Sequence, residues 1–187
     1  MIEGFFLEVC MEVKQGYSYH IEDRFFSDVS DSSLMSNKEN GNYRPHYYAI
    51  EDSKDKDIFW MIPISSKVEK YKKIVASKTK INRKCSTIVI GVFAGEENAF
   101  LIQNAFPIKA VYLDHVHTIQ GNPITVHKKL DKELRTKLKE VIAMKKRGIN
   151  LFFTDEINQT PIRHMRFLRL LHRGKLGCAK HSRHPFP

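Results

Sequence analysis

The run Trp60-Met61-Ile62-Pro63-Ile64-Ser65-Ser66-Lys67-Val68-Glu69-Lys70-Tyr71 passes from one kind of order to another with no loop between them. Trp60, Ile62 and Ile64 alternate with period two, so they share one face of a strand. Ser66-Lys67-Val68-Glu69 then matches the capping box S-x-x-E, in which a serine hydroxyl and a glutamate each take a free amide at a helix start. Val68, Tyr71, Ile74 and Val75 continue as an apolar stripe, which predicts a helix over residues 66–79. Upstream, residues 46–51 also read as a strand, separated from residues 57–64 by the charged turn Asp52-Ser53-Lys54-Asp55-Lys56. Two strands joined by such a turn form a hairpin. A hairpin that runs straight into a helix implies antiparallel sheet with helices packed on it.

The flanking segments extend this pattern. Residues 15–21 alternate as a strand, and Ile21, Phe25, Phe26, Val29 and Leu34 follow at roughly helical spacing. Residues 36–44 are rich in Asn and Gly and read as a loop. Residues 86–93 are rich in Ile and Val, residues 99–108 in Phe, Leu and Ile, and Gly95-Glu96-Glu97-Asn98 makes them a second hairpin. Residues 110–119 read as a weaker strand or a short helix. Thr125 opens the clearest helix, with Val126, Leu130, Leu134, Leu138, Val141 and Ile142 on one face. Asp131/Arg135 and Glu133/Lys137 stand at ion-pair spacing along it, and Gly148 stops it. Residues 151–153 form a final short strand or helix start. The expected fold is α+β: a small antiparallel sheet, partly closed into a barrel, with packed helices and one long helix in the C-terminal half.

Length and composition favour one domain. A chain of 187 residues with 42% hydrophobic side chains is long enough for one core and short for two. We assign residues 13–157 to that domain, with an N-terminal extension over 1–12 and a basic tail over 158–187. No stretch approaches the roughly 18 apolar residues of a membrane span, which points to a cytoplasmic protein. Cys10, Cys85 and Cys178 are odd in number and far apart, which argues against a disulfide framework. The net charge of +10 is unevenly placed. Residues 67–84 carry +7, residues 158–187 carry another +7, and the rest of the chain sums to −4. Such clustering is the electrostatic footprint of a polyphosphate partner, although a solvated helix face and a loose tail have the same composition.

The chain has no phosphate-binding glycine loop, HExxH, CxxC or G-x-S-x-G. His115 and His117 with His127, or Cys178 with His181 and His184, do not match standard zinc spacings, so no metal and no cofactor is expected. Ser65, Ser66 and Lys67 are different. They put two hydroxyls and an ammonium at a strand end and helix start, where free amides and the helix dipole favour an anion. RNA cleavage that uses the substrate's own 2′-OH needs a proton acceptor and cationic donors for the phosphorane, and no metal. The plainer alternative is that Ser66 only caps the helix and Lys67 is a surface lysine. His46 or His20, each on an expected strand edge, could move the proton. Lys14, Tyr17, Tyr19, Arg44 and Tyr47, with the cations Lys70, Lys72, Lys73, Lys78, Lys80, Arg83 and Lys84, supply the mixture of stacking surfaces and charge that single-stranded RNA requires. Tyrosines in alternating strands are also ordinary core residues.

Four blocks of sequence carry a resemblance: residues 14–21, residues 42–48, the quoted run 60–71, and Asn98-Ala99-Phe100-Leu101-Ile102-Gln103-Asn104-Ala105-Phe106-Pro107-Ile108. Together and in order they resemble the toxins of type III toxin–antitoxin systems, most of all the CptN branch of the ToxN-like group. The resemblance implies a compact barrel similar to the MazF/Kid ribonucleases and metal-independent endoribonuclease activity at adenosine-containing sites of mRNA. It also implies inhibition by a pseudoknotted antitoxin RNA, which the toxin cuts from a repeat precursor and holds in a closed protein–RNA assembly. The related motif reads Pro-x-Thr-Ser-x-Lys. Pro63-Ile64-Ser65-Ser66 matches it in step, and Lys67 arrives one residue earlier. The functional expectation is an endoribonuclease with Ser65, Ser66, Lys67 and His46 at its centre, the alternative being a non-catalytic RNA-binding protein.

Overall fold

In the computed structural model, which describes residues 12–153, the chain begins with β1 (Ser18–Ile21), α1 (Asp23–Val29), β2 (Lys38–Glu39) and β3 (Asn42–Tyr43). There follow β4 (His46–Glu51), β5 (Ile58–Ser65), α2 (Val68–Asn82), β6 (Val89–Phe93), β7 (Glu96–Phe100) and β8 (Phe106–Lys109). The last elements are β9 (Leu113–Val116), β10 (Thr118–Ile119), β11 (Asn122–Pro123) and α3 (Lys128–Lys146). Short 3-10 turns flank β8. Except for Glu12, the extension and the tail expected from sequence lie outside the described residues.

The two expected hairpins form. β4 and β5 pair antiparallel in the register His46 to Pro63 and Glu51 to Phe59, with one bulge near Ala49. Asp52 takes the Trp60 indole N–H at 3.1 Å and so ties the turn to the strand. The β6–β7 hairpin turns on Ala94 and Gly95, both with positive φ, which is the two-residue turn that suits the twist of paired strands.

β5 divides one of its edges between two partners. Ile58 to Met61 pair with β8, whereas Ile64 and Ser65 pair with β7. The change falls at Pro63, whose carbonyl accepts from the Leu101 amide at 3.0 Å. A residue in an antiparallel strand presents its N–H and C=O to the same side, so the amide that proline lacks belongs where the partner changes. The resulting order is β6-β7-β5-β4-β1-β9, with β8 beside β5. β6 and β9 end this order and do not pair with each other, so the sheet is open and the expected partial barrel closure is corrected.

Both faces of the sheet are covered. Tyr47, Ile62, Ile64, Phe93 and Phe100 pack against Leu134, Leu138 and Val141 of α3. On the other face Tyr19, Ile21, Met61, Phe106 and Ile108 pack with Phe25 of α1. A smaller cluster of Tyr71, Ile88, Ala99 and Leu101 lies under α2. The apolar stripes foreseen for α2 and α3 face the clusters: Tyr71 is buried with Ile74 and Val75 partly so, and Leu134, Leu138 and Val141 are buried with Leu130 and Ile142 partly so. No helix of the described residues is long and apolar enough to cross a membrane.

Candidate active site

Ser65 is the last residue of β5 and is buried, while Ser66 and Lys67 are exposed where the chain turns into α2. The capping box expected here does not form. Lys67 is the residue before the helix, no side chain caps it, and Glu69 instead pairs with Lys72 at 3.3 Å. The helix therefore starts at Val68 rather than at residue 66. The Ser65 hydroxyl accepts from the Lys67 amide at 3.3 Å, and the Ser66 carbonyl accepts from the Val68 amide at 2.8 Å. Capping does not use up the Ser66 hydroxyl, which was the plainer alternative for that residue.

Sequence reading missed the residue that organises this corner. Residues 36–44, taken as a loop, contain the small β2–β3 hairpin, which turns on Asn40 and Gly41 with φ of 52° and 82°. Asn-Gly between short extended segments is a strong hairpin signal and was available in the sequence. The hairpin carries Glu39 into the corner. One carboxylate oxygen accepts from the Ser65 hydroxyl at 3.1 Å and lies 3.5 Å from the Lys67 ammonium. The other accepts from the Ser66 amide and from Arg44 Nη1, both at 3.3 Å. Arg44 is only 4% exposed, and its guanidinium also donates to the Ser36 and Ile64 carbonyls at 3.1 and 2.8 Å. Burial pushes the Glu39 carboxyl up, but Arg44, the Ser65 hydroxyl, the Ser66 amide and Lys67 together hold it below the usual range.

His46 opens β4, and its ring is fully buried among Phe26 and Phe106. Neither ring nitrogen makes a well-formed hydrogen bond, and burial, followed by the Arg44 charge, pushes its pKa down to about 3 against a weaker upward pull from the Arg44 backbone. The exposed strand edge expected for it is thus corrected: β4 lies between β5 and β1. Tyr19 and Tyr47, expected as stacking residues, are core residues as well. The Tyr19 phenol bonds the Lys14 backbone, and the Tyr47 phenol donates to Asp131. The reason is the sheet order, which places β1 and β4 inside and leaves neither with a free edge. Tyr17 is half-buried and Lys14 exposed.

The basic helix is real but its cations are unequal. Lys73, Lys80 and Arg83 are exposed. Lys72 bridges Glu97 at 2.7 Å, and Lys84 bridges Glu140 at 3.3 Å. Lys70 lies over the Tyr71 ring, while Lys78 donates inward to Thr87 and Gln103, each at 2.8 Å.

His20 belongs to a second cluster. Its ring stacks on His115 at 4.6 Å, and its Nε2 lies 2.9 Å from His117 Nδ1. Tyr43, from the same hairpin as Glu39, meets the His20 ring edge-on at 6.5 Å. Burial, then His115 and His117, push the His20 pKa down to about 4. His127 is not in the group and instead caps α3. Among the described residues no group of three or more His, Cys, Asp or Glu is arranged to hold a metal ion.

No protein-family model matches the chain, and no curated protein matches it. Among solved structures it is similar to AbiQ, described as a lactococcal anti-phage endoribonuclease belonging to the type-III toxin-antitoxin system. The TM-score is 0.62, with 83% of this chain and 99% of the AbiQ chain covered. The chain shares the fold of AbiQ. Sequence identity to AbiQ is 13%, so the likeness carries the architecture and leaves the side chains of the corner to be argued from their own geometry.

Proposed function

We propose that the protein is a metal-independent endoribonuclease of the type III toxin–antitoxin kind, and that it cleaves at the corner where β5 meets α2. The carrying observation is the convergence of the Ser65 hydroxyl, the Ser66 amide, the Arg44 guanidinium and the Lys67 ammonium on one point. These are the donors that a phosphodiester passing through a phosphorane requires. In this reading the 2′-OH of the substrate attacks phosphorus and gives up its proton to water, and the 5′-oxygen leaves and takes a proton from water. The products carry a 2′,3′-cyclic phosphate and a 5′-hydroxyl. Ser65 and Ser66 orient the phosphate, and Lys67 and Arg44 offset the charge that develops on it. The reading leaves out His46 as proton carrier, because its ring has no exposed face.

The fold shared with AbiQ supports the wider reading. In it, residues 13–157 act as one cytoplasmic toxin domain of the CptN branch, related to the MazF/Kid ribonucleases. The substrate is mRNA at adenosine-containing sites, and the inhibitor is a pseudoknotted antitoxin RNA held in a closed assembly. Incubating the purified protein with defined RNAs in EDTA and mapping the ends tests the chemistry. Cyclic-phosphate ends are expected. Their absence, or their persistence in a Ser65/Ser66/Lys67 triple alanine variant, would overturn it.

A further inference from the structure

We propose that Glu39 is a resident anion which occupies the phosphate position of this corner and exchanges with a phosphodiester when RNA binds. The inference rests on the reading above and adds to it an occupant, a route of entry and a control on affinity.

Four independent donors meet the two oxygens of this carboxylate, two on each. The two non-bridging oxygens of a phosphodiester present the same acceptor pair with the same negative charge, so one replaces the other without rebuilding the site. Arg44 makes an occupant necessary. It is 4% exposed and is clamped by backbone carbonyls of Ser36 and Ile64, so it cannot turn to solvent. A buried guanidinium without an anion is strongly destabilising, and Glu39 is the carboxylate that meets it. Before RNA arrives, Glu39 neutralises Arg44. Once a phosphodiester is seated, the carboxylate is released.

The place of Glu39 in the fold permits this exchange. It sits on a hairpin of two residues per strand that is not part of the main sheet, and its turn residues Asn40 and Gly41 are exposed. Tyr43 and Lys38 fasten the hairpin to Asp23 on α1, at 2.9 and 3.8 Å, on the side away from the corner. In the exchange the Glu39 side chain leaves the donors while Tyr43 and Lys38 keep the hairpin fastened to Asp23. A role as the base that accepts the 2′-OH proton fits less well. A carboxylate bound by two cations and two hydrogen bonds has little affinity for a proton.

Wild type and Glu39→Gln are compared for binding of a 2′-O-methylated RNA tetranucleotide, which offers phosphodiesters but cannot be cleaved. The variant is expected to melt at lower temperature when free, to regain most of that loss with the oligonucleotide, and to bind it about tenfold more tightly. In wild type, the Glu39 carboxyl carbon followed by NMR is expected to titrate at higher pH with the oligonucleotide bound, and this measurement stands even if the variant does not fold. Equal or weaker binding by folded Glu39→Gln overturns the proposal, as does an unmoved Glu39 titration. Loss of kcat in the variant with unchanged binding also overturns it and makes Glu39 a base instead. If wild type cleaves RNA and these results still go against exchange, only the exchange falls. If affinity rises as expected but no RNA is cut, only the nuclease reading falls.

Discussion

Leu130 of α3 lies so close to the backbone of Gly91 in β6 that a β-carbon there would stand 2.5 Å from Leu130 Cδ2 and 2.8 Å from Cδ1. The φ of Gly91 is ordinary, so the demand is one of space and not of backbone conformation. The long helix approaches the end strand of the sheet because this side chain is missing.

Gly91→Ala is therefore expected to destabilise the protein by about 1 kcal/mol, the low end of overpacking because the half-buried Leu130 side chain can give way, measured by urea unfolding. Trimming the neighbour with Leu130→Ala in the same chain should return part of the loss. A double-mutant cycle with no coupling between the two positions would contradict the contact.

Tyr47→Phe removes the phenol that donates to Asp131 and leaves the ring in the core. Stability should fall by about 1.5–3 kcal/mol, as for a hydrogen bond to a charged acceptor. RNA affinity should not change, because the ring is inaccessible. A large loss of binding with little loss of stability would restore Tyr47 to the RNA surface.

The lysines of α2 separate in a salt titration. Lys73→Ala and Lys80→Ala should each flatten the dependence of log K on log salt by up to about 0.7 if each cation meets one phosphate of a single strand. Lys78→Ala should leave that slope alone and lower the melting temperature, since its ammonium is held by Thr87 and Gln103.

Acid should unfold this protein through its buried histidines. An ordinary imidazole titrates near 6.5, whereas His20 is pushed down to about 4 and His46 to about 3, and His117 is lowered too. As pH falls, the unfolded chain takes up these protons first, so stability is flat above about pH 7 and declines between pH 6.5 and 3. The fully buried His46 alone contributes on the order of a few kcal/mol to that decline. His46→Leu should flatten part of it and, because neither ring nitrogen makes a well-formed hydrogen bond, should not lower stability at neutral pH. Cleavage should survive in that variant. Loss of activity in a folded His46→Leu protein would return proton transfer to this residue.

The parts of the molecule that were legible in the sequence are those set by local period and turn chemistry. The alternation of Trp60, Ile62 and Ile64 placed them on one face, and the stripe from Val126 to Ile142 marked the buried side of α3. The pairs Asp131/Arg135 and Glu133/Lys137 both form. What failed depends on long-range partners. The capping box at Ser66 was a sound local pattern, but Glu39 took the Ser66 amide that Glu69 would have capped, and Glu39 comes from a hairpin 26 residues upstream of Ser65. His46 and Tyr47 read as accessible because nothing near them in sequence reveals that β1 and β5 close over both edges of β4. Asn40-Gly41 was an overlooked local signal, and it concealed the residue at the centre of the corner.

The division of β5 at Pro63 also bears on how the molecule breathes. Its two half-ladders meet at a residue with no amide proton, so on that side the seam is held only by the Pro63 carbonyl, which accepts from the Leu101 amide. Thermal opening can then proceed in two blocks, one made of β8 with the Trp60 end of β5, the other of β6, β7 and the Ser65 end. The corner at Ser65 belongs to the second block. Hydrogen exchange should find its amides releasing protons as a group, at a lower opening energy than those of Met61 and Ile58.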